Sequence, residues 1–375
     1  MYYLVEKATE YANLAVAADR KGDYEKAIKY YRAAIDLFSK YLKLYPDNSM
    51  ADFYRGLIRK YRVRVRTLEQ TLNRVSIGGD RGRSEEIELY VFNRGGNGPR
   101  FKDLVDLDDV KRALRRAVIY PIRSPHLYPL GWPRGILLFG PPGCGKTLIS
   151  IALANEVGAI MINISPATIM SKWLGEAEKN VARIFKKARE MASKNRPVIL
   201  FIDEVDALFQ EYSDEIGGEK RVRNQFLMEM DGLKAKEDYK LPLFVIGATN
   251  KPWKLDIGFI RRFDKRIYVP PPDREVRKKL FEHYISRLSK TYDVSGVDIE
   301  RLADMTENYS SDDIFKIVRE VQSNLAEEYN EKNGDGGRRV ISTEDFIEVI
   351  KMRKPSIDPQ MIENYRVWNE KYGAQ

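Results

Sequence analysis

Apolar residues recur every three or four positions through the first 75 residues and again beyond about residue 274, whereas the stretch between alternates short continuous apolar runs with helical patterns. Leu4, Ala8, Tyr11, Ala15 and Ala18 predict a helix over Tyr3 to Asp19, which Gly22-Asp23 breaks and recaps. Ala27, Tyr30, Tyr31, Ala34, Ile35 and Phe38 predict a second from Tyr24 to about Leu44, ended by Pro46-Asp47-Asn48. Tyr54, Ile58, Tyr61, Val65, Leu68 and Leu72 predict a third, about 20 residues or roughly 30 Å long. Three such stripes bury one another as a bundle, so residues 1–75 are read as a three-helix domain.

Residues 76–100 carry Gly78-Gly79, Gly82, Gly95-Gly96 and Gly98-Pro99 around an apolar island from Ile87 to Phe92. The expectation is a flexible linker whose island either packs transiently, the favoured reading, or serves as a docking segment or a strand against another domain. From Phe101 onward, strands are expected near 135–139, 159–164, 198–202, 243–248 and 265–269, separated by helices. That alternation predicts an α/β domain over 101–272, a parallel five-stranded sheet between helices. After Pro270-Pro271-Pro272-Asp273 no further strand is expected, and 273–375 read as a small helical domain.

Two of these runs end in chemistry. Gly135-Ile136-Leu137-Leu138-Phe139 leads into Gly140-Pro141-Pro142-Gly143-Cys144-Gly145-Lys146-Thr147, and an amphipathic helix follows. Strand, glycine-rich turn and helix make a phosphate-binding loop. Its glycines let backbone N–H groups face a phosphate, Lys146 supplies a cation, and the Thr147 hydroxyl can ligate Mg²⁺; ATP or GTP is the expected ligand. Val198-Ile199-Leu200-Phe201-Ile202 delivers Asp203 and Glu204 to the same end of the sheet. Asp203 suits the metal, and Glu204 suits a general base that polarises the attacking water.

Composition narrows the rest. No apolar run is long enough to span a bilayer and Met1 to Lys7 have no secretory apolar core, so a cytoplasmic protein is expected. Cys144 is the only cysteine, which excludes an intrachain disulfide and a thiolate zinc site. The net charge is +9, and residues 1–75 hold 15 Lys/Arg against 9 Asp/Glu. That excess, much of it in Arg59 to Arg66, fits nucleic acid, an anionic membrane, an acidic partner or simply a solvated helix face.

With these motifs in place, the chain resembles the AAA ATPases over nearly all its length, and within them the vacuolar protein sorting-associated protein 4 branch that disassembles ESCRT-III filaments. Phe101-Lys102-Asp103-Leu104-Val105 is similar to the branch's adenine-side segment, with Asp106 where glycine is usual; Ser124-Pro125-His126-Leu127-Tyr128 is similar to its next signature. Ser171-Lys172-Trp173-Leu174-Gly175-Glu176 is similar to its central-pore loop and Ala248-Thr249-Asn250 to its sensor 1. Arg261-Arg262-Phe263-Asp264 is similar to its arginine-finger segment, and the N-terminal helices to an MIT domain. Where the eukaryotic enzymes insert a β-domain, this chain has only the glycine-rich Asn330 to Val340, as in the archaeal cell-division branch. Ser310-Ser311-Asp312-Asp313-Ile314 departs from the usual Ser-Gly-Ala/Ser-Asp-Ile.

The resemblance implies ATP and Mg²⁺ as cofactors, with Asp103, Val105, Asp106 and Leu148 beside the nucleotide. It implies Asn250 orienting water, and Arg261 and Arg262 reaching a neighbouring subunit's site in a homo-oligomeric ring, a hexamer in the branch's pattern. It further implies Lys172, Trp173 and Leu174 gripping a threaded peptide, with Gly217-Gly218-Glu219 as a second pore loop or an ordinary loop. The partner would be an ESCRT-III-like filament tail bound by residues 1–75, with Val5, Ala12 and Val16 as the candidate groove and membrane contact only indirect. A microtubule-severing AAA enzyme is the nearest competing reading, but such enzymes use a basic linker and Ser84-Glu85-Glu86-Ile87-Glu88 is acidic. A proteasomal unfoldase lacks support in the last residues, Lys371 to Gln375. A tetratricopeptide-like adaptor would need a second copy of Gly22-Asp23-Tyr24-Glu25-Lys26-Ala27.

Overall fold

Alanine at many inward positions lets the first two helices approach closely. In the computed structural model, which describes residues 2–20, 24–44, 58, 61, 64–65, 68, 90–92, 98–164, 177–194, 196–209, 217–233, 241–331 and 340–374, the chain forms two compact units, Met1–Glu86 and Ile87–Gln375. In the first, α1 (Tyr2–Arg20) and α2 (Tyr24–Leu44) bury Ala8, Ala12, Ala15, Ala27, Tyr31, Ala34 and Phe38 with Ile58, Val65 and Leu68 of the third stripe. Asp19 links the three: its carboxylate accepts from Arg64 Nε and Nη2, each at 2.8 Å, and from the Tyr31 hydroxyl at 3.2 Å. Arg64, one cation of the basic run, is therefore engaged within the bundle. Ala12 is 5% exposed and belongs to this core, which removes it from the candidate groove. The Val5 and Val16 side chains lie outside the described residues.

The second unit opens with β1 (Tyr90–Phe92), followed by α3 (Asp108–Leu114), whose axis continues through a π-helical turn at Arg115–Ile119 and a last turn at Tyr120–Arg123. β2 (Gly135–Phe139), α4 (Lys146–Val157), β3 (Ile160–Ile164), α5 (Ala177–Ala192), β4 (Val198–Ile202), α6 (Gly217–Gly232), β5 (Leu243–Thr249) and β6 (Lys265–Tyr268) follow. The sheet order is β1-β3-β4-β5-β2-β6, with all neighbours parallel except β1 against β3. Both faces are buried at a period of two: Leu137, Leu200 and Val245 face one helical layer, and Ile136, Ile199 and Ile246 the other.

Two expectations need correction here. Tyr90–Phe92 of the apolar island is an edge strand, registered Tyr90 to Asn163 and Phe92 to Met161, rather than transient packing. The C-terminal part is not purely helical. Among α7 (Arg274–Leu288), α8 (Ile299–Met305), α9 (Ser311–Glu331), α10 (Thr343–Met352) and α11 (Pro359–Tyr372), two short strands, β7 (Asp293–Gly296) and β8 (Val340–Ser342), pair in parallel. Phe281, Leu302, Ile314, Ile317 and Phe346 form the core of this layer.

Candidate nucleotide site

The turn that leaves β2 has no room for a side chain at Gly140 or Gly143. A Cβ on Gly140, at φ +152°, would fall 2.1 Å from the Val269 carbonyl oxygen, and one on Gly143, at φ +74°, would fall 2.4 Å from Ser310 Oγ. The chain then enters α4 through Gly145 in the left-handed region, and no side chain caps the helix. Its first N–H groups face the loop, the arrangement that receives phosphate. Lys146 is folded over that loop, its Nζ donating to the carbonyls of Gly140 at 2.8 Å and Pro141 at 2.7 Å. Burial of Lys146 lowers its pKa from the usual 10.5 to about 8, so an arriving phosphate meets a cation that gains from being paired.

The acidic strand end meets this loop directly. The Thr147 hydroxyl donates to Asp203 Oδ2 at 2.8 Å, joining the first turn of α4 to the end of β4. Asp203 Oδ1 accepts from the Glu204 N–H at 3.0 Å, and Glu204 sits at φ +52°, which turns its exposed side chain out of the strand direction. A non-glycine residue held there costs on the order of 1–3 kcal/mol and persists where surrounding bonds impose it. The bond that follows is Val205 N–H to the Ala248 carbonyl at 3.0 Å. On the neighbouring strand, the buried Thr249 hydroxyl donates to Asp206 Oδ1 at 2.7 Å and accepts from Lys251 N–H at 2.9 Å. Asn250 lies between them, its Oδ1 buried and without a hydrogen-bond partner among the described residues. A buried amide oxygen left open at this position is suited to a water or a ligand.

Asp103, Val105, Asp106, Cys144, Gly145 and Leu148 line one cleft, together with the Pro270–Pro272 turn and His283 and Tyr284 of α7. Asp106 adopts φ +60° and Leu107 φ +64°. The backbone thus keeps the left-handed conformation natural to glycine at position 106, and Asp is among the few residues that tolerate it. The helical layer closes on the loop through Asp312 N–H, which donates to the Gly143 carbonyl at 3.0 Å. Burial pushes the Asp313 carboxyl up, but hydrogen bonds from Ser356 and Ser310 outweigh it and hold the group below its usual range.

Residues 136–271 match the ATPase family associated with various cellular activities (AAA), and residues 5–70 match the MIT (microtubule interacting and transport) domain. The chain is 47% identical over 374 residues to cell division protein C of Sulfolobus acidocaldarius, covering 99% of this chain and 98% of that protein. This chain belongs to the AAA ATPases. It binds nucleotide and hydrolyses ATP. It is also 39% identical over 285 residues to spastin of Danio rerio, covering 74% of this chain but 49% of that protein. The crystal structure of the FIGL-1 AAA domain superposes with a TM-score of 0.65 at 31% identity, covering 77% of this chain and 93% of that one.

In this ATPase the arginine pair divides. Arg261 caps a short turn at Ile257–Ile260, is exposed, and enters no ion pair among the described residues. Arg262 lies 2.7 Å from Asp231 of α6. Both stand at the far end of β2 from the phosphate loop: a Cβ on Gly135 would fall 2.6 Å from the Arg262 carbonyl oxygen. Gly135 and Gly140 are separated by about 16 Å of extended strand.

Gly217, Gly218 and Glu219 form the first turn of α6 rather than a loop. Residues 171–176, expected to line a pore, with Lys172, Trp173 and Leu174, and the acidic stretch 84–88 lie outside the described residues. Sequence reasoning gave no role to the Thr249 hydroxyl or to Asp206, whose bond holds the turn at Asn250, nor to Tyr365, whose hydroxyl donates to the Asn250 carbonyl. The stripe Tyr365, Trp368 and Tyr372 signals an amphipathic helix, though spacing alone does not name what it packs against.

Position at a helix N-terminus beside Lys146 suggests a reactive thiolate at Cys144, and the structure reverses that expectation. Cys144 is 2% exposed, and burial pushes its thiol from the usual 9.0 up to about 12 against the opposing pull of Lys146. That shift corresponds to about 4 kcal/mol, more than the ~2 kcal/mol upper range for a helix terminus, so burial decides. Iodoacetamide at pH 8 is therefore expected to leave Cys144 and ATP hydrolysis intact for hours while labelling the unfolded chain within minutes, as read by intact-mass spectrometry. Rapid labelling of the folded enzyme would show that the thiol is open.

Proposed function

We propose that this ATPase is a ring-forming remodeller that pulls subunits from ESCRT-III-like filaments during cell division, with its MIT domain gripping the filament protein's tail. The observation that carries this reading is the joint presence of an MIT domain and an AAA motor in a chain that aligns end to end with a cell division protein.

The site's own groups supply the hydrolytic roles. The loop N–H groups and Lys146 bind the β- and γ-phosphates, and the cleft with Asp103, Val105, Asp106 and Leu148 receives the base. Thr147 and Asp203, already in contact through hard oxygen atoms, would hold Mg²⁺, which when bound neutralises phosphate charge. Glu204 takes the proton of the attacking water, and the open Asn250 Oδ1 orients that water. Arg261 and Arg262, about 16 Å of strand away from their own loop, serve the γ-phosphate of a neighbouring subunit. Trp173 and its neighbours grip the substrate in the pore, since aromatic contact tolerates varied sequence.

The test uses the full chain carrying Glu204→Gln, held with ATP and Mg²⁺ and used to capture partners from native lysate for mass spectrometry. An ESCRT-III-like protein, lost when residues 1–75 are deleted, is the expected capture. Tubulin, matching the severing activity of similar motors, or nucleic acid would overturn the proposal.

A further inference from the structure

The C-terminal helix α11 is sewn into the large α/β layer. Tyr365 is 0% exposed and Trp368 6%, in the same core as Phe139 of β2 and Phe209. Trp368 stands edge-on to Phe139 with centroids 4.4 Å apart, while Tyr365 lies 5.1 Å from Trp253 and 5.9 Å from Tyr268. Asp358 caps the helix through Gln360 N–H at 2.9 Å, and beyond its end Ala374 exchanges backbone bonds of 3.0 and 2.8 Å with Arg266 of β6. Each buried aromatic of this size contributes about 150–250 Å² of covered surface, so the helix is anchored at both ends and along its length.

A buried phenol must place its hydroxyl, and this one donates to the main-chain carbonyl of Asn250. Burial pushes the Tyr365 phenol above its usual range, keeping it a neutral donor. On its other sides the sensor turn is held by Thr249, bonded to Asp206 and Lys251. Tyr365 thus fixes the peptide that carries an amide whose Oδ1 is buried and open at the site. From this geometry we infer that Tyr365 is a positioning residue for hydrolysis, setting the Asn250 amide against the attacking water and making the C-terminal helix part of the catalytic layer. The inference rests on the reading of Asn250 as the group that orients water.

The experiment compares full-length wild type, Tyr365→Phe, Asn250→Ala and the double variant in steady-state phosphate release, with ATP affinity measured separately. Phenylalanine keeps the ring and its packing and removes only the donor. Tyr365→Phe is expected to keep KM and ATP affinity while kcat falls about tenfold, the scale of one neutral hydrogen bond. The double variant is expected to be no slower than Asn250→Ala alone, because both changes act through one group. A slowed Asn250→Ala beside an unaltered Tyr365→Phe overturns the inference alone, as does a double variant in which the two losses multiply. An unaltered Asn250→Ala overturns the water-orienting reading and the inference with it.

Discussion

Glu204→Gln is expected to bind ATP as tightly as the wild type and to release phosphate at least about 10²-fold more slowly, the lower range for losing a general base. The reason is spatial. The phosphate cradle is built by Gly140 to Thr147, whose side-chain bonds run to the loop's own carbonyls and to Asp203, and no bond among the described residues joins it to the Glu204 side chain. Glu204 contributes its backbone N–H to Asp203 and turns its carboxylate outward at φ +52°, a conformation that Gln can share. Binding measured with a fluorescent ATP analogue and single-turnover phosphate release separate the two effects. A variant that hydrolyses at the wild-type rate would assign the base to another group, and one that fails to bind would make Glu204 part of the cradle.

The second large effect concerns the arginine pair. Arg261→Ala and Arg262→Ala are each expected to retain ATP affinity and to lose on the order of 10³ or more in kcat, the contribution of an arginine finger in phosphoryl transfer. Neither can serve its own nucleotide if it stays near the Gly135 end of β2, about 16 Å of strand from Gly140. Mixing either variant with Glu204→Gln therefore restores activity that neither has alone, because some interfaces then combine an intact Glu204 with an intact arginine pair. Co-assembly without recovery at any ratio would place the arginines in cis or outside the reaction. The pair is expected to differ in one respect. Arg262 must leave Asp231, so Asp231→Asn alters hydrolysis through Arg262 and leaves the exposed Arg261 untouched.

Much of this was legible from spacing. The central parallel strands stand out because strands buried on both faces must be apolar at nearly every position, as Gly135–Phe139 and Val198–Ile202 are. The first two helices are legible because a stripe of period 3.6 persists over five turns or so. The phosphate loop and the Asp203–Glu204 pair are local signals, each requiring specific residue types at fixed positions. β7 and β8 escaped, and β1 stayed one alternative among three, because three or four residues carry too little periodicity and each depends on a partner strand distant in the chain.

Sequence by itself determined the family, the nucleotide chemistry and the candidate groups for it, since glycine, lysine and carboxylate at these spacings have few other uses. Only the tertiary structure decided the state of those groups. Burial, not helix position, sets the Cys144 thiol; the left-handed turn explains Asp106 in place of glycine; and the length of β2 separates Arg261 and Arg262 from the loop on their own chain. The same holds for Tyr365, whose bond to Asn250 spans 115 positions of sequence. Dielectric surroundings and long-range contacts are properties of the packed chain, and no local pattern of residues encodes them.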